Sequence, residues 1–234
     1  MANSWYDIVP KASENVGNQK KASLTLGTRS VQARLFVEQG FSSTSMLDIV
    51  TRARVSKRDL YALFNNKHAV LAAGISERAQ QMRQPLDTTT PVPQTGDALA
   101  ALLIEFGVSI LMTVCHPEVL AVFRLAIAES DSAPEIARTL YKSGREANQK
   151  ALADLVGKAQ ARELVRAGDP GALAARYLAV LWGDLMIQLL MRVREAPNER
   201  EIEVRARAAT ETLMALPLLA ACRRKQEPRG SPKT

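Results

Sequence analysis

The 234-residue chain is 47% hydrophobic, ample for a core in one large or two smaller domains, and its 5% aromatic content beside abundant Ala and Leu favours helices over sheets. Its two cysteines, Cys115 and Cys222, lie far apart and belong to no CxxC or Cys/His ligand spacing, which argues against a disulfide or zinc scaffold and for a reduced, cytoplasmic protein. The net charge of +7 is unevenly placed: residues 1–84 carry +6, residues 85–221 carry −3 and residues 222–234 carry +4.

Residues 1–27 show no sustained period and read as a flexible arm. No positively charged start precedes an apolar run, so no signal peptide is evident. Lys11, Lys20 and Lys21 leave two readings open, a minor-groove arm or a solvated tail. Helix 1 is expected from Thr28 to Gln39, anchored by Leu35 and Phe36 and ended by Gly40 as a C′ glycine. Between Thr44 and Val70, two short helical patterns flank a tight break. Met46, Ile49, Val50 and Ala53 mark the first, and Val55, Leu60, Leu63 and Phe64 the second. Thr44 is expected to N-cap the first and Ser56 the second, with Asp59 completing a capping box. Only Arg54 and Val55 separate Ala53 from Ser56, a connection as short as that of a helix-turn-helix. The second helix then exposes Ser56, Lys57, Arg58 and Tyr61, a face of basic groups and hydroxyls suited to phosphates and base edges. Asn66 is the expected cap of a further helix, from Lys67 to about Gln84, whose Val70, Leu71 and Ile75 pack under this unit.

The stretch from Ala33 to Leu71 resembles the N-terminal DNA-binding domain of the TetR/AcrR family of bacterial repressors. The shared residues are Leu35-Phe36, Gly40-Phe41, Thr44-Ser45, Ile49, Ala53, Val55-Ser56-Lys57, Leu60-Tyr61, Phe64 and Lys67. The resemblance implies that Thr44, Tyr61 and Lys67 hold phosphates and that Lys57 and Arg58 face bases or backbone; Ser45, Arg54 and Ser56 complete the expected DNA-binding set. Three positions depart from the family pattern. Arg54 stands in the turn where Gly is usual, at about 1 kcal/mol for a left-handed backbone. Arg58-Asp59 replaces a Gly-Thr type of pair, and Thr28-Arg29 stand where helix 1 usually begins with apolar residues.

Residues 85–96 hold three prolines and four threonines and are the expected linker. Asp97 is the expected cap of a helix reaching Cys115, in which Glu105 is the sole charge after Asp97. A spanning helix needs about 20 apolar residues, and a central acid there is costly, so a helix buried in a regulatory domain is the better reading. His116-Pro117 breaks the pattern and a helix follows to about Ser130. Ser132, Pro134 and Glu135 predict a capping box opening a helix to about Ala161, bent near Gly144. Asp169-Pro170 opens the next, to about Val193. Asn198 with Glu201 opens the last, to about Ala220, with Pro217 ending or kinking it. The segment Phe123–Val193, with F-R-L-x-I-A-E, P-E-I-A and W-G-D-L, also resembles the C-terminal domain of one branch of TetR-like repressors. The expected division is an arm over 1–27, a DNA-binding domain with its connecting helix over 28–84, a regulatory and dimerisation domain over 97–221, and a disordered basic tail over 222–234.

Only two histidines occur, His68 and His116, and no phosphate loop, GxSxG or metal-ligand cluster. No enzyme, cofactor or metal site is therefore expected. Phe106, Ile110, Phe123, Tyr141, Trp182 and Met186 are candidates to line a ligand cavity, and each is equally an ordinary core residue at helical spacing. Arg124 and Arg145 can hold an acidic ligand or form surface ion pairs. The last two helices carry apolar stripes (Leu173, Tyr177, Val180, Leu181, Met191; Ile202, Ala206, Ala209, Leu213, Leu216) that either pack inward or meet a second copy, as the family's do. The expectation is an all-α, two-domain, homodimeric regulator. It would bind a palindromic double-stranded operator away from any membrane and be released by a small, mainly apolar effector. The alternative is a constitutive or architectural DNA-binding protein.

Overall fold

Gly40, with φ +83°, closes a first helix, α1, of which residues 35, 36, 38 and 39 are seen; only glycine enters that backbone region without strain. The computed structural model describes residues 35–36, 38–87 and 91–214. The expected arm, the start of helix 1 at Thr28, Leu216, Pro217 and the basic tail lie outside the described residues. In chain order follow α2 (Met46–Ala53), α3 (Lys57–Leu63), α4 (Lys67–Arg83), a 3-10 turn (Gln84–Leu86), α5 (Gly96–Val114), α6 (Pro117–Ala128) and α7 (Pro134–Thr139). A π-helical stretch (Leu140–Glu146) then leads to α8 (Ala147–Gln160), α9 (Pro170–Trp182), α10 (Leu185–Leu190) and α11 (Glu199–Met214). The fold is all-α; no strand occurs among the described residues.

Side-chain caps start most of these helices, satisfying N–H groups that have no intrahelical partner. Asn66 accepts from the Ala69 N–H at 2.9 Å, Asp169 from the Ala172 N–H at 2.6 Å and Asn198 from the Glu201 N–H at 2.9 Å. Other starts differ from expectation. Ser45, not Thr44, caps α2, and Asp48 returns the bond to the Ser45 N–H at 2.8 Å, so the full capping box lies here. The Ser45 hydroxyl also donates to this carboxylate at 2.7 Å, and that bond, then the one from the Ser45 N–H, holds the Asp48 carboxyl below its ordinary range. Thr95 caps α5, which leaves Asp97 as a first-turn acid. Ser132 does not cap α7: its hydroxyl turns back to the Glu129 carboxylate, and Ala133 takes the cap position without a side-chain bond. The helix expected to run from Pro170 to Val193 is broken at Gly183 (φ +47°, ψ −132°), which divides it into α9 and α10. The bend expected near Gly144 is the π-helical stretch itself.

Two apolar cores result. One gathers Leu35, Phe36, Phe41, Ile49, Leu60, Phe64 and the first half of α4 (Val70, Leu71, Ile75) with Val122, Ala126, Ala133 and Ile136 from α6 and α7. The other is built by α5, α8, α9 and α11, with Ala79 and Met82 from the second half of α4. We call α1 to α3 with the first half of α4 the head, and the remainder, α6 and α7 included, the body, which lends side chains to the head core. α5 is long and apolar enough to cross a membrane by length and composition alone. Seven of its residues, among them Phe106 and Ile110, are buried in the body, as a core helix requires. Burial also pushes the Cys115 thiol up to about 11.

The body is tightest at Gly107. A Cβ there would lie 2.5 Å from the Tyr177 hydroxyl, 3.0 Å from the Ala206 methyl and 3.3 Å from Leu181. The fully buried Tyr177 uses this space to donate to the Leu103 carbonyl at 2.6 Å, and burial raises its pKa well above the phenol range. Gly107→Ala gains about 1 kcal/mol of helix propensity. It forces Tyr177 out of its bond and three helices apart, an overpacking cost of about 1–3 kcal/mol plus about 1 kcal/mol for the lost bond. Net destabilisation of about 1–3 kcal/mol is expected, seen as a lower denaturation midpoint at unchanged slope.

Candidate nucleic-acid interface

The turn between α2 and α3 is what the helix-turn-helix spacing predicts. Arg54 ends α2 in the left-handed region (φ +52°, ψ +38°), its N–H shared between the Thr51 and Val50 carbonyls. The chain then turns through Val55, and Ser56 caps α3 by accepting from the Asp59 N–H at 3.2 Å. Leu60, fully buried, pins α3 to the head core. The residues around it, Ser56, Lys57, Arg58 and Tyr61, are exposed, as are Ser45 and Arg54. The Lys57 ammonium lies 5.9 Å from the centre of the Tyr61 ring, so the two side chains share one edge of α3. Leu47, 58% exposed on α2, is an apolar neighbour that sequence reasoning passed over, because at helical spacing it looks like any surface leucine.

Two members of the expected DNA-binding set, Thr44 and Lys67, bond to backbone carbonyls of the head. Thr44 is 2% exposed and its hydroxyl donates to the Gly40 carbonyl at 2.8 Å, so it secures the end of α1 rather than facing a phosphate. Lys67 directs its ammonium to three carbonyls, those of Phe41 at 2.7 Å and of Ser42 and Thr44 at 3.0 Å, and sits 4.7 Å above the Phe41 ring. An ammonium has three protons to donate, and all three are used within the head. These bonds hold the α1–α2 loop on the start of α4.

The head is fixed to the body by polar bridges beside the shared apolar core. Ser42 donates to Glu129 at 3.1 Å, and hydrogen bonds from Ser132 and then Ser42 keep the Glu129 carboxyl below its ordinary range. The His68 Nε2 lies 2.5 Å from the Glu135 carboxylate, Arg78 pairs with Glu118 at 2.8 Å, and Arg83 donates to the Ser143 carbonyl at 2.8 Å. The partners lie 40 to 87 residues apart in sequence, so helical spacing held no signal for them.

The expected ligand-lining residues do not surround a common void. Phe106 and Ile110 are fully buried, and Phe106 stacks on Tyr177 with ring centres 6.3 Å apart. Phe123, Trp182 and Met186 are half-buried against the same core. Tyr141 is 59% exposed, turned outward on the π-helical stretch, and Arg145 beside it is exposed. Arg124 closes α10 by donating to the Leu189 and Leu190 carbonyls at 2.6 and 3.0 Å. A concavity of about 240 Å³ lies instead between α4 and α7, lined among others by His68, Ala72, Ile75, Glu135, Ile136 and Thr139.

Residues 32–73 match the model of bacterial regulatory proteins of the tetR family, and residues 101–216 match that of the C-terminal domain of AefR-like transcriptional repressors. A solved structure of a flavonoid-responsive regulator, FrrA, is 30% identical over 83% of this chain and 96% of its own, with a TM-score of 0.63. The chain belongs to the TetR family of transcriptional regulators. Two further TetR-family structures share the fold. One, from Mesorhizobium loti, is 22% identical over 86% of this chain and 98% of its own, with a TM-score of 0.65. The other, from Agrobacterium tumefaciens, is 21% identical over 82% and 93%, also at 0.65. No curated protein matches the chain.

For this TetR-family head, Lys67→Met should lower the stability of the free protein by about 2 kcal/mol, because three charge-assisted bonds are lost and three carbonyls are left to water. Chemical denaturation without DNA measures this. An unchanged midpoint would refute the structural role of these three bonds.

Proposed function

We propose that the protein is a homodimeric transcriptional repressor that inserts α3 into the major groove of a palindromic operator and releases it when a small, mainly apolar effector binds. The observation that carries this reading is the exposed face of α3. Leu60 locks the helix to the core while Ser56, Lys57, Arg58 and Tyr61 face outward from a head segment whose charge is positive. Tyr61, Ser45 and Ser56 suit phosphate oxygens, and Lys57 and Arg58 suit phosphates or guanine edges. Arg54, in its left-handed turn, carries a guanidinium beside them. A second copy is favoured by the apolar side chains left exposed on α9 to α11 and their connections: Val180, Ile187, Met191, Val193 and Val204 are 37–69% exposed. The flavonoid response named for FrrA supports an effector for this chain too. An effector acts only by binding the released geometry more tightly than the DNA-bound one. A second reading, constitutive DNA binding, is favoured by the complete burial of Phe106 and Ile110, which leaves no space beside them for a ligand.

Sequencing the genomic fragments that the purified protein retains tests the reading. The expected site is palindromic, with half-site centres about one helical turn apart; retained fragments without symmetry would refute the dimeric arrangement. Arg58→Ala should alter the ranking of operator variants by about 1–3 kcal/mol at one position, whereas Tyr61→Phe should weaken all sequences alike. Ile187→Asp puts a charge into the apolar face of α10. Light scattering at micromolar concentration should then report a monomer where the parent chain is a dimer.

A further inference from the structure

The concavity between α4 and α7 has apolar walls from Leu71, Ala72, Ile75 and Ile136, and a volume of about 240 Å³ suits one ring or a short chain. Its polar equipment is narrow. The Thr139 hydroxyl is already donated to the Glu135 carbonyl at 2.8 Å. The charged chemistry that remains is the Glu135 carboxylate with the His68 Nε2 at 2.5 Å. Their side chains are 44% and 39% exposed, so the pair can exchange partners without unfolding of either helix. A carboxylate at the edge of an apolar hollow attracts a cation and repels an acid.

We propose that this seam is a binding site for a small apolar amine, whose ammonium replaces His68 at Glu135 and whose presence changes how the head is held on the body. His68 lies in the first turn of α4, beside Lys67, and its ring stands edge-on to Phe41 at 4.6 Å. Glu135 lies in the first turn of α7, close in sequence to Glu129, which binds Ser42. A ligand between them therefore touches the start of α4 from the α7 side, and His68 in turn meets the Phe41 ring of the α1–α2 loop. The coupling to DNA rests on the proposed repressor function; the binding itself is a property of the free chain.

The test is calorimetric titration of the full chain with benzylamine, and with benzyl alcohol and benzoate as neutral and anionic counterparts. Benzylamine is expected to bind about tenfold more tightly than benzyl alcohol, as a charge-assisted bond gives, and benzoate not at all. Glu135→Gln should bring benzylamine down to the level of benzyl alcohol, and Ala72→Phe, which fills the hollow, should abolish both. Saturating benzylamine should weaken DNA retention about fivefold or more in the parent chain and leave it unchanged in Ala72→Phe. Equal binding of amine and alcohol, no binding of either, or benzylamine binding that survives both substitutions would overturn the site. Should Ala72→Phe fail to fold, Glu135→Gln decides alone. Binding that leaves DNA retention unchanged would overturn the coupling. A chain that retains no DNA in any condition would refute the repressor reading, while calorimetry still judges the site.

Discussion

α4 runs for seventeen residues without a break, about 25 Å at 1.5 Å per residue, and its apolar edge serves two cores in turn. Val70, Leu71 and Ile75 belong to the head; Ala79 and Met82 belong to the body. Neither core is complete without this helix, so any tilt of α4 within one is a tilt within the other. The remaining contacts reinforce that constraint. Ile136 and Ala126 carry body side chains into the head core, and Arg78 and Arg83 tie the outer side of α4 to α6 and to the π-helical stretch. Close-packed interfaces of this kind hold discrete arrangements rather than deforming smoothly, which is the property a switch between DNA-bound and released forms needs.

Lys67 shows how a single cation organises the head. The loop from Phe41 to Thr44 has carbonyls at its inner side that no helix satisfies. One ammonium at the start of α4 takes three of them, and the Phe41 ring lies beneath it. The position of α2, and through the short turn that of α3, follows from where this loop is held. Arg54 adds its own fixed point: the left-handed residue allows a connection short enough to place Ser56 at the cap of α3.

Much of this was legible in the sequence because it is local. Caps at Ser56, Asn66, Asp169 and Asn198 bond three residues ahead, and the turn at Arg54 follows from two short periodic runs with almost nothing between them. Local signals failed where two residues compete for one role. Thr44 and Ser45 both suit a cap, and burial of Thr44 decides; Thr95 precedes Asp97; Ser132 prefers Glu129 to the N–H groups ahead of it. Long-range facts were out of reach altogether. The carbonyl partners of Lys67, the pairing of His68 with Glu135 and the filling of the body around Phe106 depend on the angle between helices. A hydrophobic pattern states which face is buried, not whether the space against it is full.

The π-helical stretch Leu140–Glu146 sets the phase between α7 and α8. In an unbroken α-helix, at about 100° per residue, Leu152 would stand about 160° and Val156 about 200° round from Ile136. Widening the turns to i→i+5 holds the phase back by about one residue, about 100°, and brings these side chains round toward the side that Ile136 occupies. Ile136 can then serve the head core while Leu152 and Val156 serve the body core, all along the line of α4. The side chains of Tyr141, Lys142, Arg145 and Glu146 are exposed and free to vary. The number of residues between Thr139 and Ala147 is not: the stretch is a spacer whose length is part of the fold, with Leu140 packed on the head core and Ser143 bonded to Ser76.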